Sequence, residues 1–288
     1  MMGKTNNTAR REDVIDLLAE EWASAGLSRG RVVLLHSRTL RTLKRLASMG
    51  TSPDPDIILD SFLRVVGPDG TLLMPLFNFD FASGKPFDIR RTPSQMGVLT
   101  ETARRRAGAV RTGHPIYSFC ALGAQAGLFA GVCNYSGYGQ DSPFGIVHRV
   151  DGQLAVLDLP EVESVTFVHY VEECAKVSYR YHKEFRGLYT DESGVTAERV
   201  FSLYVRDIAR GVVGKGNEMG ELIWQGGHYK GFKPHQGPGL RTISASVFFD
   251  QIMDIILSGR ARGLLYDIER TRESDQLPSP EAKHIPDG

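Results

Sequence analysis

The stretch Arg31-Val32-Val33-Leu34-Leu35-His36-Ser37 is a short apolar run that ends in two polar residues. It shows no alternation of apolar and polar positions, which is typical of a strand covered on both faces. Polar residues at the carboxyl end of such a strand lie where α/β folds bind ligands. The run therefore predicts a buried strand with a binding site at its end.

Helices and strands alternate on both sides of this run. Apolar residues at helical spacing predict helices at 10–25 and 54–66, and further apolar runs predict buried strands at 71–74 and 154–159. This alternation predicts the α/β class, with three layers in the order α/β/α and a mostly parallel central sheet.

The pattern changes after residue 180. Residues 189–205 predict a β-hairpin around the turn Asp191-Glu192-Ser193-Gly194. Residues 211–239 are rich in Gly, Lys and His without a clear period, which predicts a long loop that folds over a site. Residues 244–257 have the apolar spacing of a closing helix.

The composition disfavours several classes of partner. Lys and Arg total 34 and so do Asp and Glu, so the chain has no excess positive charge that would favour binding to nucleic acid or to an anionic membrane. No apolar run reaches the length of a membrane span, and the first residues have no apolar signal core. The three cysteines form no CxxC, which indicates free thiols in a reducing compartment. We therefore expect a cytoplasmic protein with a small-molecule ligand.

Several well-known site motifs are absent. The chain has no GxxxxGK[ST] loop, no GxGxxG after a strand and no GxSxG elbow. His169-x-x-Glu172-Glu173 is similar to the inverted zinc-peptidase motif, which needs a second His at position 173. The other histidines have no ligand spacing, so we expect no metal.

The stretch Ser164-Val165-Thr166-Phe167-Val168-His169-Tyr170-Val171-Glu172-Glu173-Cys174 carries a candidate catalytic pair. On a helix, His169 and Glu172 lie one turn apart on one face. A carboxylate there can keep one imidazole nitrogen protonated and leave the other free as a base. The alternative is an ordinary surface pair, and this stretch alone leaves both interpretations open.

Two loops are candidates for the walls of a pocket. The aromatic-rich run Pro75-Leu76-Phe77-Asn78-Phe79-Asp80-Phe81 follows a strand end, although three Phe residues in a loop can also serve packing alone. Thr92-Pro93-Ser94-Gln95 predicts a helix start, with Thr92 as the cap and Gln95 completing a capping box. The free N–H groups of such a start can bind an anion.

Six short motifs occur in a fixed order along the chain. The motifs are His36-Ser37, Gly67-Pro68-Asp69-Gly70-Thr71-Leu72-Leu73-Met74-Pro75, Pro93-Ser94-Gln95-Met96-Gly97-Val98-Leu99-Thr100-Glu101, Arg111-Thr112-Gly113-His114-Pro115 with Ser118, Asp141-Ser142-Pro143 and Thr166-x-x-His169-x-x-Glu172. Together they resemble the aminoglycoside 3-N-acetyltransferase family over roughly residues 10–185. Residues 141–181 with the following hairpin are more similar to members found in bacterial polysaccharide and sugar biosynthesis.

The resemblance implies an α/β/α fold distinct from the common (GNAT) acetyltransferase fold, with acetyl-CoA as donor. It implies that His169 is the base and that Glu172 orients it. Arg38 departs from the family's usual His-Ser-Ser, and it either reaches a coenzyme phosphate or blocks the pocket seen in relatives. The donor is expected along His36, Ser37, Arg38, Ser94, Gln95, Met96, Gly97, His114 and Ser118.

The expected acceptor is the primary amine of an amino sugar, including nucleotide-linked ones. An aminoglycoside is the first alternative; a thioester hydrolase using Cys120 or Cys174 and a non-catalytic binding protein are the others. The candidate acceptor-binding residues are Phe77, Asn78, Asp80, Tyr179, Arg180 and His182.

The resemblance also shapes the expected organisation of the chain. We expect one acetyltransferase domain over 1–277, with a core at 10–185, an acceptor-side elaboration at 186–240 and a closing helix at 241–270. A flexible tail is expected at 278–288. The exposed hairpin makes a homodimer plausible.

Overall fold

The computed structural model describes residues 2–164 and 166–269, and twelve strands lie in those ranges. In chain order they are β1 (Val32–Ser37), β2 (Thr71–Pro75), β3 (Phe87–Asp88), β4 (Val110–Arg111), β5 (Phe119–Gly123), β6 (Gln153–Leu157), β7 (Arg180–Thr190), β8 (Thr196–Arg206), β9 (Val212–Gly214), β10 (Lys230–Gly231), β11 (Leu240–Ser244) and β12 (Tyr266–Ile268).

The same ranges hold ten α-helices, joined by short turns and by three single-turn 3₁₀ helices. In chain order they are α1 (Met2–Ser24), α2 (Leu40–Ser48), α3 (Pro55–Val66), α4 (Val98–Arg105), α5 (Pro143–Arg149), α6 (Glu161–Ser164), α7 (Phe167–Cys174), α8 (Asn217–Gln225), α9 (Ala245–Leu257) and α10 (Ala261–Leu264).

Seven strands form the central sheet in the order β10-β11-β6-β1-β2-β5-β4. Its centre is parallel, because β1 pairs in parallel with both β6 and β2. The outer neighbours pair antiparallel, so that β4, β2, β1, β6 and β10 run one way and β5 and β11 run the other. The predicted α/β class and mostly parallel direction of the sheet are confirmed.

Strand β1 explains why helices cover both faces of this sheet. Its side chains alternate, so that Val32 and Leu34 enter one hydrophobic core while Val33 and Leu35 enter another. All four are at most 2% exposed, and burying each aliphatic side chain stabilises the fold by roughly 1.5–3 kcal/mol. Helices α5, α7 and α9 contribute to the first core and α1 and α3 to the second, which confirms the predicted three layers.

The predicted hairpin is confirmed and is longer than expected. Strands β7 and β8 pair antiparallel over eleven residues each, from Arg180 opposite Arg206 to Thr190 opposite Thr196. At the turn, the backbone N–H of Asp191 donates to Val195 O, and the N–H of Val195 donates to Asp191 Oδ1. Strand β3 joins β7 to complete a three-stranded sheet.

The predicted helix start at Thr92-Pro93-Ser94-Gln95 is wrong, since α4 begins at Val98. Gly97, the residue before it, has φ 110°, a backbone conformation that favours glycine. A residue in this conformation cannot be part of an α-helix, so the helix does not include the residues before Val98. The polar side chains of the predicted capping box bond elsewhere. Thr92 Oγ1 accepts the N–H of Asp88 at 2.9 Å, and Gln95 Oε1 accepts the N–H of Phe79 at 3.0 Å.

The predicted long loop at 211–239 is also wrong, because β9, α8 and β10 lie within it. In α8, Gly220 packs directly on α6, and a Cβ there would lie 2.0 Å from Glu161 Cγ. This glycine therefore marks a close contact between two helices, whereas the sequence suggests a loop. Helix α2 is likewise absent from the sequence predictions.

The three expected parts of the chain share one hydrophobic core. Phe144, Phe201 and Phe248 come from the expected core, elaboration and closing helix, and all belong to the same buried cluster. The predicted tail at 278–288 lies outside the described residues. Within 2–164 and 166–269, no helix is long and apolar enough to cross a membrane.

Candidate active site

Helix α7 brings the predicted catalytic pair together. His169 Nδ1 lies 2.8 Å from Glu172 Oε2, across one helical turn. The Glu172 side chain is fully buried, whereas that of His169 is 26% exposed. Since Nδ1 faces the carboxylate, the other ring nitrogen, Nε2, points away from it and is available to a ligand.

Glu172 is held by two further groups from the start of the hairpin. Arg180 Nε lies 2.7 Å from Oε2, and the hydroxyl of Tyr179 donates to Oε1 at 3.0 Å. Burial acts to raise the pKa of Glu172, but Arg180, His169 and Tyr179 outweigh it, so the pKa lies below its ordinary value. Glu172 is therefore a carboxylate at neutral pH.

The pKa of His169 is lowered from its ordinary value of 6.5. Burial is the largest cause and the positive charge of Arg180 adds to it, while Glu172 acts in the opposite direction. The imidazole is thus neutral at pH 7, and its hydrogen bond to Glu172 requires the proton on Nδ1. Nε2 then carries a free lone pair, which is the form that a general base needs.

An aromatic cluster connects this pair to the carboxyl end of the sheet. The Tyr138 ring meets the His169 ring edge-on at 5.2 Å between centroids, and Tyr117 lies between Tyr138 (4.8 Å) and Phe77 (4.2 Å). Phe77 is 2% exposed, so the packing interpretation of its loop holds for this residue. Tyr138 is not among the predicted site residues, because its loop has no periodicity that could predict the orientation of its side chains.

The polar end of β1 contacts the start of α7. His36 Nε2 lies 2.9 Å from Thr166 Oγ1, and burial, followed by the charge of Arg241, lowers the pKa of His36 to about 3. Ser37 is half-buried, and Arg38 is exposed with its guanidinium paired to Glu163. The predicted ligand site at the end of β1 and helix α7 are therefore neighbours.

The aromatic-rich loop (residues 75–81) is hydrogen-bonded to residues 93–95, at the start of the 94–97 segment. Asn78 Nδ2 donates to Pro93 O at 3.0 Å, and the N–H of Gln95 donates to Phe77 O at 2.9 Å. Asn78 is 1% exposed, so its side chain is occupied by this contact. Gln95 itself is exposed, and the segment presents a surface beside the end of the sheet.

The other residues predicted in these two loops differ in exposure. Ser94 and Met96 are half-buried, and the N–H of Met96 donates to Ser94 Oγ at 3.1 Å. Gly97 is exposed. Asp80 has a side chain that is 39% exposed and pairs with Lys85 at 3.1 Å.

His114 and Ser118, predicted at the thioester end of the donor, are completely buried. His114 Nδ1 accepts the N–H of Tyr117 at 3.0 Å, and burial lowers the pKa of His114 to about 4. Ser118 Oγ accepts from Arg111 Nη2 at 3.1 Å. Both side chains therefore form hydrogen bonds in or beside the loop between β4 and β5, and neither is exposed to solvent.

The predicted acceptor residues at the start of the hairpin separate into two groups. The side chains of Tyr179 and Arg180 are buried and contact Glu172, so they lie beside the predicted catalytic pair. His182 is exposed, and its ring Nδ1 lies 3.2 Å from Ser202 Oγ. His182 also lines a cavity of about 460 Å³ beside α7.

The predicted family is confirmed by comparison with known proteins. A family model described as aminoglycoside 3-N-acetyltransferase matches residues 41–210, which is more than half of the chain and includes His169 and Glu172. The chain belongs to this family. Aminoglycoside N(3)-acetyltransferase IV of Salmonella sp is 30% identical over 157 residues, which cover 54% of this family member and 56% of that relative. The chain thus spans only about half the length of that curated relative.

Solved structures of the family share the fold. Aminoglycoside acetyltransferase AAC(3)-Xa superposes on this family member with a TM-score of 0.70 and 25% identity, covering 88% of this chain and 97% of the other. AAC-IIIb, solved as a binary complex with CoASH, gives a TM-score of 0.66 at 21% identity, covering 84% and 95%.

The two cysteines considered as nucleophiles, Cys120 and Cys174, lack the features of one. Cys120 is buried, and burial raises the pKa of its thiol to about 12. Burial also raises the pKa of the half-buried Cys174. A thiolate is the reactive form, so neither residue favours the hydrolase alternative. Within 2–164 and 166–269, no three His, Cys, Asp or Glu residues lie close enough together to hold a metal ion.

Proposed function

We propose that the protein transfers an acetyl group from acetyl-CoA directly to a primary amine, with His169 as general base. The observation that carries this proposal is the contact of His169 Nδ1 with the buried carboxylate of Glu172, in a side chain that is still 26% exposed. Membership of the family supports the reaction class. The CoASH complex of AAC-IIIb supports the donor.

The chemistry requires the amine to lose two protons. A primary amine is mostly protonated at neutral pH, and its nitrogen attacks only after losing the first. His169 Nε2 accepts that proton, and Glu172 stabilises the imidazolium that forms. The amine nitrogen then bonds to the thioester carbonyl carbon, the carbon–sulfur bond breaks, the second proton passes from the nitrogen to the departing thiolate, and His169 releases the first proton to solvent. No acyl-enzyme is needed.

Arg180 and Tyr179 act on this step through Glu172. Together they keep the pKa of the carboxyl low despite its burial, so Glu172 stays charged when the imidazolium forms. Removing charge from Glu172 would leave both His169 and Arg180 without their anionic partner. We therefore assign Arg180 and Tyr179 as positioning residues.

The donor is proposed to lie at the carboxyl edge of the sheet. Strand β1 ends at this edge with His36 and Ser37, and Arg38 follows it. The 94–97 segment lies beside the edge, because the N–H of Gln95 donates to Phe77 O. Arg38 and Gln95 are exposed there. Support for this placement comes from the contact between His36 and Thr166, which sets the edge next to the catalytic helix.

The acceptor is proposed to be the amine of an amino sugar of the aminoglycoside type. The matched relatives are named as aminoglycoside acetyltransferases, which supports this class. A nucleotide-linked acceptor would place its diphosphate on Arg180 or Lys183. The Arg180 side chain is 6% exposed and contacts Glu172, so only the exposed Lys183 supports that alternative, and the proposal names an amino sugar without a nucleotide.

Release of free thiol from acetyl-CoA tests the proposal. The purified protein is assayed with aminoglycosides, free amino sugars and nucleotide-linked amino sugars, each with and without enzyme. We expect release that depends on an amine and is greatest with aminoglycosides. Release of the same rate without any amine would show a hydrolase and would overturn the proposal.

A further inference from the structure

A cavity of about 340 Å³ lies at the edge of the central sheet where the parallel strands β1 and β6 begin. Its polar lining includes Ser28, Arg31, Gln153, His228, Lys230 and Thr242. The proposed active site lies at the opposite edge, because Ser37 follows Arg31 by six residues, or roughly 20 Å along an extended strand. A ligand in this cavity would therefore be remote from His169.

The charged residues of this lining are cationic. Arg31 and Lys230 are cations, His228 adds ring nitrogens that can donate hydrogen bonds, and none of the described lining residues is acidic. Lys230 is exposed and lies opposite Thr242 in the ladder of β10 and β11. Within 2–164 and 166–269, Lys230 forms no ion pair and the ring of His228 forms no hydrogen bond. The cavity thus offers donors that are free for a ligand.

Asp151 is the acidic residue next to this cavity, and its carboxylate is already bound. Arg31 Nη2 lies 3.0 Å from Oδ2, and the N–H of Ser246 in the first turn of α9 donates to Oδ1 at 3.1 Å. Burial acts to raise the pKa of Asp151, but the bonds from Ser244, Ser246 and Arg31 outweigh it and lower the pKa to about 2. Asp151 therefore balances Arg31, and Lys230 remains without a counterion among the described residues.

The other polar groups of the cavity hold its wall together. Gln153 Oε1 accepts the N–H of Ser28 at 3.0 Å, and Gln153 Nε2 donates to Gly26 O at 2.7 Å. Thr242 Oγ1 donates to Ala25 O at 3.2 Å. These bonds attach the turn after α1 to the edge of the sheet, so the wall is fixed and the cationic side chains determine which ligand fits.

We propose that this cavity binds a phosphate group, either free or carried by a small sugar, at a site separate from the active site. A phosphate presents three terminal oxygens and can meet Arg31, Lys230 and His228 together, whereas a carboxylate has only two oxygens. Arginine and lysine are also the side chains that bind phosphate most strongly. The cavity has room for a sugar ring in addition to the phosphate.

Calorimetric titration of the full chain at low ionic strength tests this site. We expect one glucose 6-phosphate or one inorganic phosphate to bind per chain, and no binding of glucose or acetate at the same concentrations. Tighter binding of glucose 6-phosphate would assign the phosphate to a small sugar, and binding of inorganic phosphate at least as tight would assign it to the free ion. Failure of both phosphates to bind, or equally strong binding of acetate, would overturn the site.

Variants of Lys230 show where the phosphate binds. Lys230→Gln should raise Kd for glucose 6-phosphate by about tenfold, and Lys230→Arg, which keeps the charge, should stay within about threefold of the wild type. Lys233→Gln is the matched control, because Lys233 is not in the lining and pairs with Glu221 at 2.6 Å. Equal effects of Lys230→Gln and Lys233→Gln, or no effect of either, would contradict the assignment. Melting temperatures show that the variants are folded.

Competition with CoA separates this site from the proposed donor site, since CoA also carries phosphate groups. We expect saturating CoA to change Kd for glucose 6-phosphate by less than about twofold, because the two sites lie at opposite edges of the sheet. Loss of glucose 6-phosphate binding in the presence of CoA would show one shared site and would overturn the inference. These measurements need no acetyl transfer, so their result does not depend on the proposed function.

Discussion

Two buried carboxylate–guanidinium pairs lie near the two ends of the segment that carries helix α7. Glu161 and Arg241 are separated by 2.8 Å at one end, and Glu172 and Arg180 by 2.7 Å at the other. All four side chains are at most 7% exposed. The pairs have the same chemistry, yet the pKa of Glu161 is raised and that of Glu172 is lowered.

The difference comes from the other partners of each carboxylate. Burial dominates at Glu161, where Arg241 is the main opposing group. Arg241 also donates to Leu159 O and Ser164 Oγ, so it fixes the chain between β6 and α7. Glu172 has His169 and Tyr179 in addition to its arginine. A buried ion pair therefore does not mark an active site by itself, whereas one that orients a partly exposed imidazole is a candidate.

The largest effect on turnover is expected at His169. His169→Ala should lower kcat by about 10²- to 10⁴-fold, because it removes the base. Binding of CoA and the melting temperature should stay close to the wild type, since His169 is partly exposed. Steady-state kinetics and calorimetry measure these quantities, and near-normal turnover would show that another group takes the proton.

Glu172→Gln is expected to have the next largest effect. The amide no longer stabilises the imidazolium or fixes the proton on Nδ1, so kcat should fall by roughly 10²-fold. Glu161→Gln is the matched control, since it neutralises the other buried carboxylate. If both variants lost turnover to the same extent while remaining folded, the distinction between the two pairs would fail.

Tyr179→Phe should cause a smaller loss. It removes one hydrogen bond to Glu172 Oε1 and leaves Arg180 in place, so kcat should decrease by up to about tenfold. The pKa of Glu172 should rise, because a donor to its charged form is lost. Kinetics of the variant check the first expectation, and a loss greater than that of Glu172→Gln would contradict it.

The Glu161 pair should affect stability more than turnover. Arg241→Met leaves Glu161 buried without its cation and should lower the free energy of unfolding by about 3–5 kcal/mol. The double variant Glu161→Leu/Arg241→Met removes both charges and should recover much of that loss. Denaturant unfolding measures both, and kcat of the folded double variant should stay within about tenfold of the wild type. A double variant as inactive as His169→Ala would give this pair a direct catalytic role.

The parts of the fold that depend on local pattern could be predicted. The continuous apolar run of β1 predicts burial on both faces, and the three-residue spacing of His169 and Glu172 predicts their contact. The start of α4 could not be predicted, because it depends on the left-handed backbone at Gly97 and on side-chain bonds to a separate loop.

The partners of Glu172 and Glu161 depend on contacts between distant elements. Arg180 lies in a strand that folds back against α7, and it contacts Glu172 although the sequence suggested a ligand contact. Arg241 reaches Glu161 from 80 residues further along the chain. Such contacts between distant residues leave no periodic pattern in the sequence, so they could not be predicted from it.

Nuclear magnetic resonance of the His169 ring nitrogens over a pH titration tests the central claim most directly. The lowered pKa predicts a neutral ring at pH 7, with the proton on Nδ1 and a midpoint below 6.5. Because the base form persists below the ordinary pKa, turnover should also remain constant as the pH falls to about 6.5. A ring that is charged at pH 7, or one that carries its proton on Nε2, would contradict the role of His169 as a base oriented by Glu172.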